Sequence, residues 1–418
     1  MHHFHYIDND LYCEETSVSE IAQKVCTPFY LYSYATLHQH FRVFDDAFGH
    51  LKHLTCFSMK SNSNLAVVRL FALEGGGVDI VSGGELYRAL KVGVDPKKIV
   101  YSGVGKKTED IEYALTSGIL MFNAESPQEI LKLNEVAGRL GKKANLALRV
   151  NPDVDPITHP YISTGLKQNK FGIDINEALE QYIIAKNLKN LDVRGVACHI
   201  GSQLTQVSPF VDTIEKLKGL INSLEGSGIR IDYLDLGGGL GITYDTEAPP
   251  LPREYAAAVH DVLGATDLTL ILEPGRVIMG NAGILVTRVL YTKTTNDRTF
   301  FIVDAGMNDL IRPSLYNSFH AIQPVRLSGR SKVTADIVGP ICESGDFFAR
   351  ERETTVFEPG ELLAVMSAGA YCYSMSSNYN SRPRACEVMA KGNRYYVIRA
   401  RETYEDLVRG ESIPDFML

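Results

Sequence analysis

The chain has 418 residues, a formal net charge of -8, and a composition of 45% hydrophobic and 22% charged positions. That balance is ordinary for a globular protein, and the length exceeds what one hydrophobic core usually serves, so two domains are expected. The acidic excess argues against a nucleic-acid surface, while leaving room for a local basic pocket that takes a small anion.

No apolar run approaches the roughly 20 residues needed to span a bilayer. Met1-His2-His3-Phe4-His5 lacks the apolar core of a signal peptide, so no membrane partner is expected. Cys13, Cys26, Cys56, Cys198, Cys342, Cys372 and Cys386 are odd in number and include no CxxC pair. They suit a reducing cytoplasm better than a disulfide framework or a zinc site; each is expected as a small buried hydrophobe, and no metal is expected.

In chain order, a strand-like segment at 6–13 comes first. Apolar, β-branched runs then recur at 53–58, 77–80, 98–101, 118–122, 145–150, 193–199, 231–236 and 268–272. Amphipathic helical patterns lie between them, as at 65–74, 84–92, 110–117 and 177–186. The best-marked helix follows Ala124. Ser126 is its N-cap, Pro127 takes the first helical position, Glu129 completes a capping box, and Ile130, Leu133, Ala137 and Leu140 form one apolar face.

Eight strands alternating with helices predict an α/β fold, an N-terminal (β/α)8 TIM-like barrel; an open doubly wound sheet is the competing arrangement. Function in a barrel gathers at the C-terminal strand ends, here Lys60, Asp79, Ser102, Asn123, Asn151, His199, Gly237 and Glu273. Beyond residue 282, runs at 284–291, 299–304, 332–338, 361–366 and 394–401 follow one another with little helix, which predicts an all-β C-terminal domain. The expected division is a barrel over 28–281, with 1–27 and 282–418 forming the β domain.

Lys60 ends an apolar strand, where a lysine can condense with an aldehyde cofactor. Leu236-Gly237-Gly238-Gly239-Leu240-Gly241 runs from a strand into glycines whose amides can approach a phosphate, although such a run can also be a simple turn. Glu273-Pro274-Gly275-Arg276 follows the eighth strand, where barrels commonly hold a phosphate. Glu273 could keep a pyridine nitrogen protonated, which makes the ring an electron sink. His199 could stack on a flat ring or donate to it, and Ser202 just beyond it suits a phosphate. Together these residues point to pyridoxal 5'-phosphate (PLP).

Met59-Lys60-Ser61-Asn62, Val78-Asp79-Ile80-Val81-Ser82-Gly83-Gly84-Glu85, His199-Ile200-Gly201-Ser202-Gln203, Gly237-Gly238-Gly239, Glu273-Pro274-Gly275-Arg276, Gly339-Pro340-Ile341-Cys342-Glu343-Ser344-Gly345-Asp346 and Gly369-Ala370-Tyr371 stand in that order. The series resembles that of the fold-type III PLP-dependent decarboxylases, over roughly residues 28 to 415. Within that group it is most similar to the diaminopimelate decarboxylases.

The resemblance implies a homodimer with shared active sites and decarboxylation of meso-2,6-diaminopimelate to L-lysine, the last step of lysine biosynthesis. Lys60 would carry the cofactor, with Asp79 nearby, His199 stacked on the ring and Glu273 at its nitrogen. Ser202, Gly238, Gly239, Gly275, Arg276 and Tyr371 would hold the phosphate or its surroundings. Arg276, Arg312, Tyr316, Glu343 and Tyr371 would bind substrate. Arg312 and Tyr316 would take the distal carboxylate, and Glu343 the distal ammonium. Cys342, from the partner subunit, would protonate the α-carbon.

The Cys342-Glu343-Ser344 segment differs from the Cys-Asp of ornithine decarboxylases of this fold type. Phe57-Ser58-Met59-Lys60-Ser61-Asn62 also departs from the usual Tyr-Ala-Met/Val-Lys-Ala-Asn of the group. That leaves open a relative acting on ornithine, carboxynorspermidine or a modified or carrier-bound amino acid. A non-catalytic regulator on the same scaffold is the reading from another class.

Overall fold

Eight parallel strands close on themselves in the unit His38–Ile278 of the computed structural model. They are β1 (His53–Ser58), β2 (Gly77–Ile80), β3 (Ile99–Tyr101), β4 (Met121–Ala124), β5 (Ala144–Asn151), β6 (Leu191–Ala197), β7 (Tyr233–Asp235) and β8 (Thr269–Leu272). Closure comes from β8 pairing with β1, Leu270 opposite His53, and from β4 pairing with β5, Phe122 opposite Leu146. The expected barrel is therefore present, and the open sheet is excluded. The structure describes residues 2–155, 158, 164, 170–295 and 298–417, and among them no helix is long and apolar enough to cross a membrane.

Inward-facing Cys56, Val100, Met121, Ala147, Ala197 and Ile271 fill the barrel, so it is a packed core and not a pore. Outward-facing Phe57 packs on Phe71 of the helix Leu65–Leu73 at 4.4 Å between ring centroids. This explains the phenylalanine in the lysine motif, because a hydroxyl at that position would enter an apolar layer.

Two helices start in the same way. Ser82 and Ser126 each accept the N–H of the glutamate three residues on, Glu85 and Glu129, at 3.2 Å. The glutamates do not return the bond to the cap residue, as the expected capping box requires at Ser126. They reach one residue further back, to the N–H groups of Val81 and Glu125, and Glu129 also meets Lys106 at 2.6 Å.

The second unit joins 1–37 to 279–418. Its long strand Gly283–Thr294 pairs antiparallel with Phe29–Ser33, Leu362–Val365 and Thr299–Val303. Phe29–Ser33 also pairs in parallel with Cys386–Lys391, and all five of its residues are buried. The barrel boundary expected at residue 28 is corrected by this strand, which sits in the middle of the β sheet and moves the division to 37/38. The segment 6–13 joins the β unit as expected, as part of the hairpin Phe4–Ile7 and Asp10–Cys13, with Leu11 donating to the Val325 carbonyl. Cys13, Cys56, Cys198, Cys372 and Cys386 are buried thiols, whereas Cys26 and Cys342 are exposed; all seven are free.

Candidate active site

The strand ends of the barrel bring the expected residues together. Lys60 sits in the single 3-10 turn Met59–Ser61 that leaves β1, with Nζ 3.6 Å from Oδ2 of the fully buried Asp79 at the end of β2. Ser58 Oγ donates to the same Asp79 oxygen at 2.7 Å, and Ser61 Oγ donates to the Ser58 carbonyl at 2.7 Å. The two extra hydroxyls of this lysine motif thus brace the turn and the aspartate. Oδ1 of Asp79 is buried without a hydrogen-bond partner among the described residues.

His199 follows β6 and is half-buried, and Gly238 donates its N–H to Nδ1 at 3.1 Å. Desolvation, then the charges of Lys60 and Arg149, hold its pKa well below the usual value of 6.5. The ring is neutral, with Nδ1 bare.

The glycine run after β7 is a close-approach site. A Cβ on Gly238 would lie 2.2 Å from the Glu273 carbonyl oxygen, and Gly237 and Gly239 have φ of +65° and +115°. Beside it, buried Arg276 donates from Nη2 to Ser202 Oγ at 2.9 Å and from Nη1 to Tyr244 OH at 2.7 Å. A cation and a hydroxyl beside glycines that permit close approach suit a phosphate, with the Gly237 and Gly238 N–H groups engaged by Asp235 and His199.

Glu273 ends β8 and is 5% exposed. Burial, then the charges of Asp235 and Asp79, push its pKa well above the carboxylate range. Asp235, at the end of β7, is pushed up to about 6 by burial, against hydrogen bonds from Gly237, Asn123 and Glu273. Asn123 Nδ2 bridges Asp235 Oδ2 at 2.8 Å and Ser102 Oγ at 3.0 Å, and Ser102 reaches Glu273 Oε1 at 3.4 Å. The two carboxyls thus share one network whose stable state carries a proton. Lys60, Ser102, Asn123, His199, Asp235 and Glu273 line one cleft.

Sequence reasoning missed Asp235, although an acid inside the apolar run Tyr233-Leu234-Asp235-Leu236 is costly to bury and signals a partner. It also missed Arg149, which pairs with Glu125 at 2.9 Å and donates to the His199 carbonyl at 3.2 Å. Lys106 went unnoticed too; its buried ammonium donates to the Gly103 and Asn123 carbonyls and to Glu129. These ion pairs fasten the loops around the mouth.

The remaining expected residues stand in the β unit. Arg312 is buried at the start of the helix Arg312–Tyr316, with Tyr316 half-buried at its end. Cys342 is exposed, and its N–H donates to Asn380 Oδ1 at 2.9 Å. Glu343, also exposed, takes a hydrogen bond from the Tyr379 hydroxyl, which raises that phenol's pKa. Asp346 pins this loop, accepting from the Met307 and Ile341 N–H groups at 2.7 Å each. Tyr371 is half-buried with φ at +59°, a conformation a bulky residue keeps only when its neighbours fix it.

A barrel mouth offering an amine, a neutral imidazole, a phosphate cradle and a protonated buried carboxyl defines an enzyme that works through a phosphorylated pyridine aldehyde. Comparison with known proteins agrees. Residues 34–280 match the pyridoxal binding domain of the pyridoxal-dependent decarboxylases. A diaminopimelate decarboxylase of Pseudomonas aeruginosa is 52% identical over 410 residues, 98% of this chain and 99% of the relative.

Two solved structures are diaminopimelate decarboxylases with L-lysine bound. The one from Helicobacter pylori has a TM-score of 0.91 and 44% identity, covering 94% of this chain and 98% of the other. The one from M. jannaschii has a TM-score of 0.95 and 38% identity, covering 99% of each. The chain belongs to the pyridoxal-dependent decarboxylases, and among them to the diaminopimelate decarboxylase family.

Proposed function

We propose that this chain removes one carboxyl group from meso-2,6-diaminopimelate, releasing CO2 and L-lysine, with PLP as its cofactor. The observation that carries the reading is the convergence of Lys60, the Gly237–Gly239 loop and buried Glu273 on one barrel mouth. Bound PLP supplies an electron sink for the pair left behind when the bond to the carboxylate breaks.

The residues present fit the cofactor. Lys60 Nζ would be the amine that attaches it. Asp79 Oδ2 sits 3.6 Å from that amine. Glu273, pushed up by burial and by Asp235, holds a proton for a ring nitrogen. His199 offers a neutral flat face, oriented by Gly238. Ser202, Gly238, Gly239, Gly275 and Arg276 hold the phosphate, and Tyr371 adds a hydroxyl.

Arg312 and Tyr316 take the distal carboxylate, Glu343 takes the distal ammonium, and Arg276 and Tyr371 also meet the substrate. Cys342 returns a proton to the α-carbon. We further propose a homodimer in which Cys342 and Glu343 serve the partner's barrel, in a cytoplasmic setting that keeps the seven thiols free.

A panel assay of the PLP-loaded protein against meso-diaminopimelate, ornithine, lysine and arginine tests this reading. CO2 and L-lysine from diaminopimelate alone are expected. Turnover of ornithine in preference to diaminopimelate would overturn the substrate assignment.

A further inference from the structure

Arg312 is 6% exposed, and its Nη1 donates to Nε2 of His320 at 2.9 Å. His320 is fully buried, and its Nδ1 lies 2.8 Å from the Met366 carbonyl oxygen. A carbonyl oxygen only accepts, so the ring hydrogen is on Nδ1; a guanidinium only donates, so Nε2 is bare. The two neighbours together select one neutral tautomer.

The backbone around the ring is also held. The Met366 N–H donates to the Ala321 carbonyl at 2.8 Å, and Arg352 Nη1 donates to the His320 carbonyl at 3.1 Å. Arg352 is held in turn over the Phe319 ring at 4.0 Å. An uncharged acceptor orients a guanidinium without cancelling its charge, as a carboxylate in the same place would.

We propose that His320 is a positioning residue for substrate selection. It holds the Arg312 fork in the pose that binds a distal carboxylate, the group that separates a diamino diacid and its product L-lysine from a simple diamine. This rests on the assignment of Arg312 to that carboxylate.

The test measures the affinity of the PLP-loaded protein for L-lysine and for 1,5-diaminopentane by calorimetry. His320→Asn keeps a donor for the Met366 carbonyl but ends short of Arg312, whereas His320→Gln places an amide oxygen near the position of Nε2. His320→Asn should weaken L-lysine about tenfold and leave the diamine within about twofold, and His320→Gln should restore most of the loss.

Equal weakening of both ligands, or of neither, overturns the inference. Arg312→Met separates it from its premise. If that change leaves the ratio of the two affinities untouched, the carboxylate assignment itself falls. Should His320→Asn not fold, nitrogen NMR of the wild-type ring decides. A proton on Nδ1 with Nε2 bare supports the proposal, and the opposite tautomer overturns it.

Discussion

Gly238 donates its N–H to Nδ1 of His199, a bond that exists only while that nitrogen is bare. The folded ring therefore refuses a proton that the unfolded ring accepts near pH 6.5. Stability from this source is complete above that pH and falls as the pH drops below it. His199→Asn removes the acid-sensitive group. The loss of Tm between about pH 7.5 and about pH 5 should be smaller in the variant than in the parent. An unchanged acid limb would contradict the neutral ring.

Asp235 behaves with the opposite sign. Its pKa is raised to about 6, so the folded protein holds a proton that the unfolded chain has released. Stability from that proton is present below the ordinary aspartate value and is lost as the pH rises through about 6. Asp235→Asn removes this penalty while keeping an acceptor for the Gly237 N–H. Asn123 has its Oδ1 buried without a partner among the described residues, so it can turn and accept from the new amide. Thermal melts should show a larger gain, or a smaller loss, at about pH 8 than at about pH 5.

A methyl group at Gly238 has no space, because its Cβ would lie 2.2 Å from the Glu273 carbonyl oxygen. Gly238→Ala should cost about 1–3 kcal/mol by overpacking. The apparent Kd for PLP should rise with it, since the loop proposed to hold the phosphate must move. Denaturant unfolding and a cofactor titration measure the two effects separately.

Lys60→Ala removes the amine and leaves Asp79 buried without its cation. The absorbance of the lysine-bound cofactor near the visible edge should vanish, and turnover should fall by on the order of a thousandfold. Normal turnover of the variant would remove Lys60 from the proposed role.

Much of the barrel was legible because its strands are apolar runs closed by polar or glycine residues, and all eight overlap the expected runs, the fourth only at Met121 and Phe122. Lys60, Asp79, His199 and Glu273 were visible for the same reason, each ending an apolar run. Phe347–Thr355 was not, since Ala349-Arg350-Glu351-Arg352-Glu353 reads as a solvated segment. Among the described residues it pairs only with Lys332–Val338, and exposed charges guard its other edge. Phe29–Ser33 falls inside the expected span 28–281 by chain order, while its strand partners lie more than 200 residues away. His320 was illegible for a different reason. Nothing in Ser318-Phe319-His320-Ala321 announces that Arg312 and Met366 will meet at its two ring nitrogens.

The most direct test of the central claim is turnover of meso-diaminopimelate by the PLP-loaded protein in deuterium oxide, with CO2 measured and lysine analysed by mass and NMR. If the bond to one carboxylate breaks and a proton returns to that carbon, CO2 and L-lysine form in equal amounts, and each lysine carries one deuterium at its ε-carbon. CO2 without lysine, or lysine without deuterium at that carbon, would contradict the account.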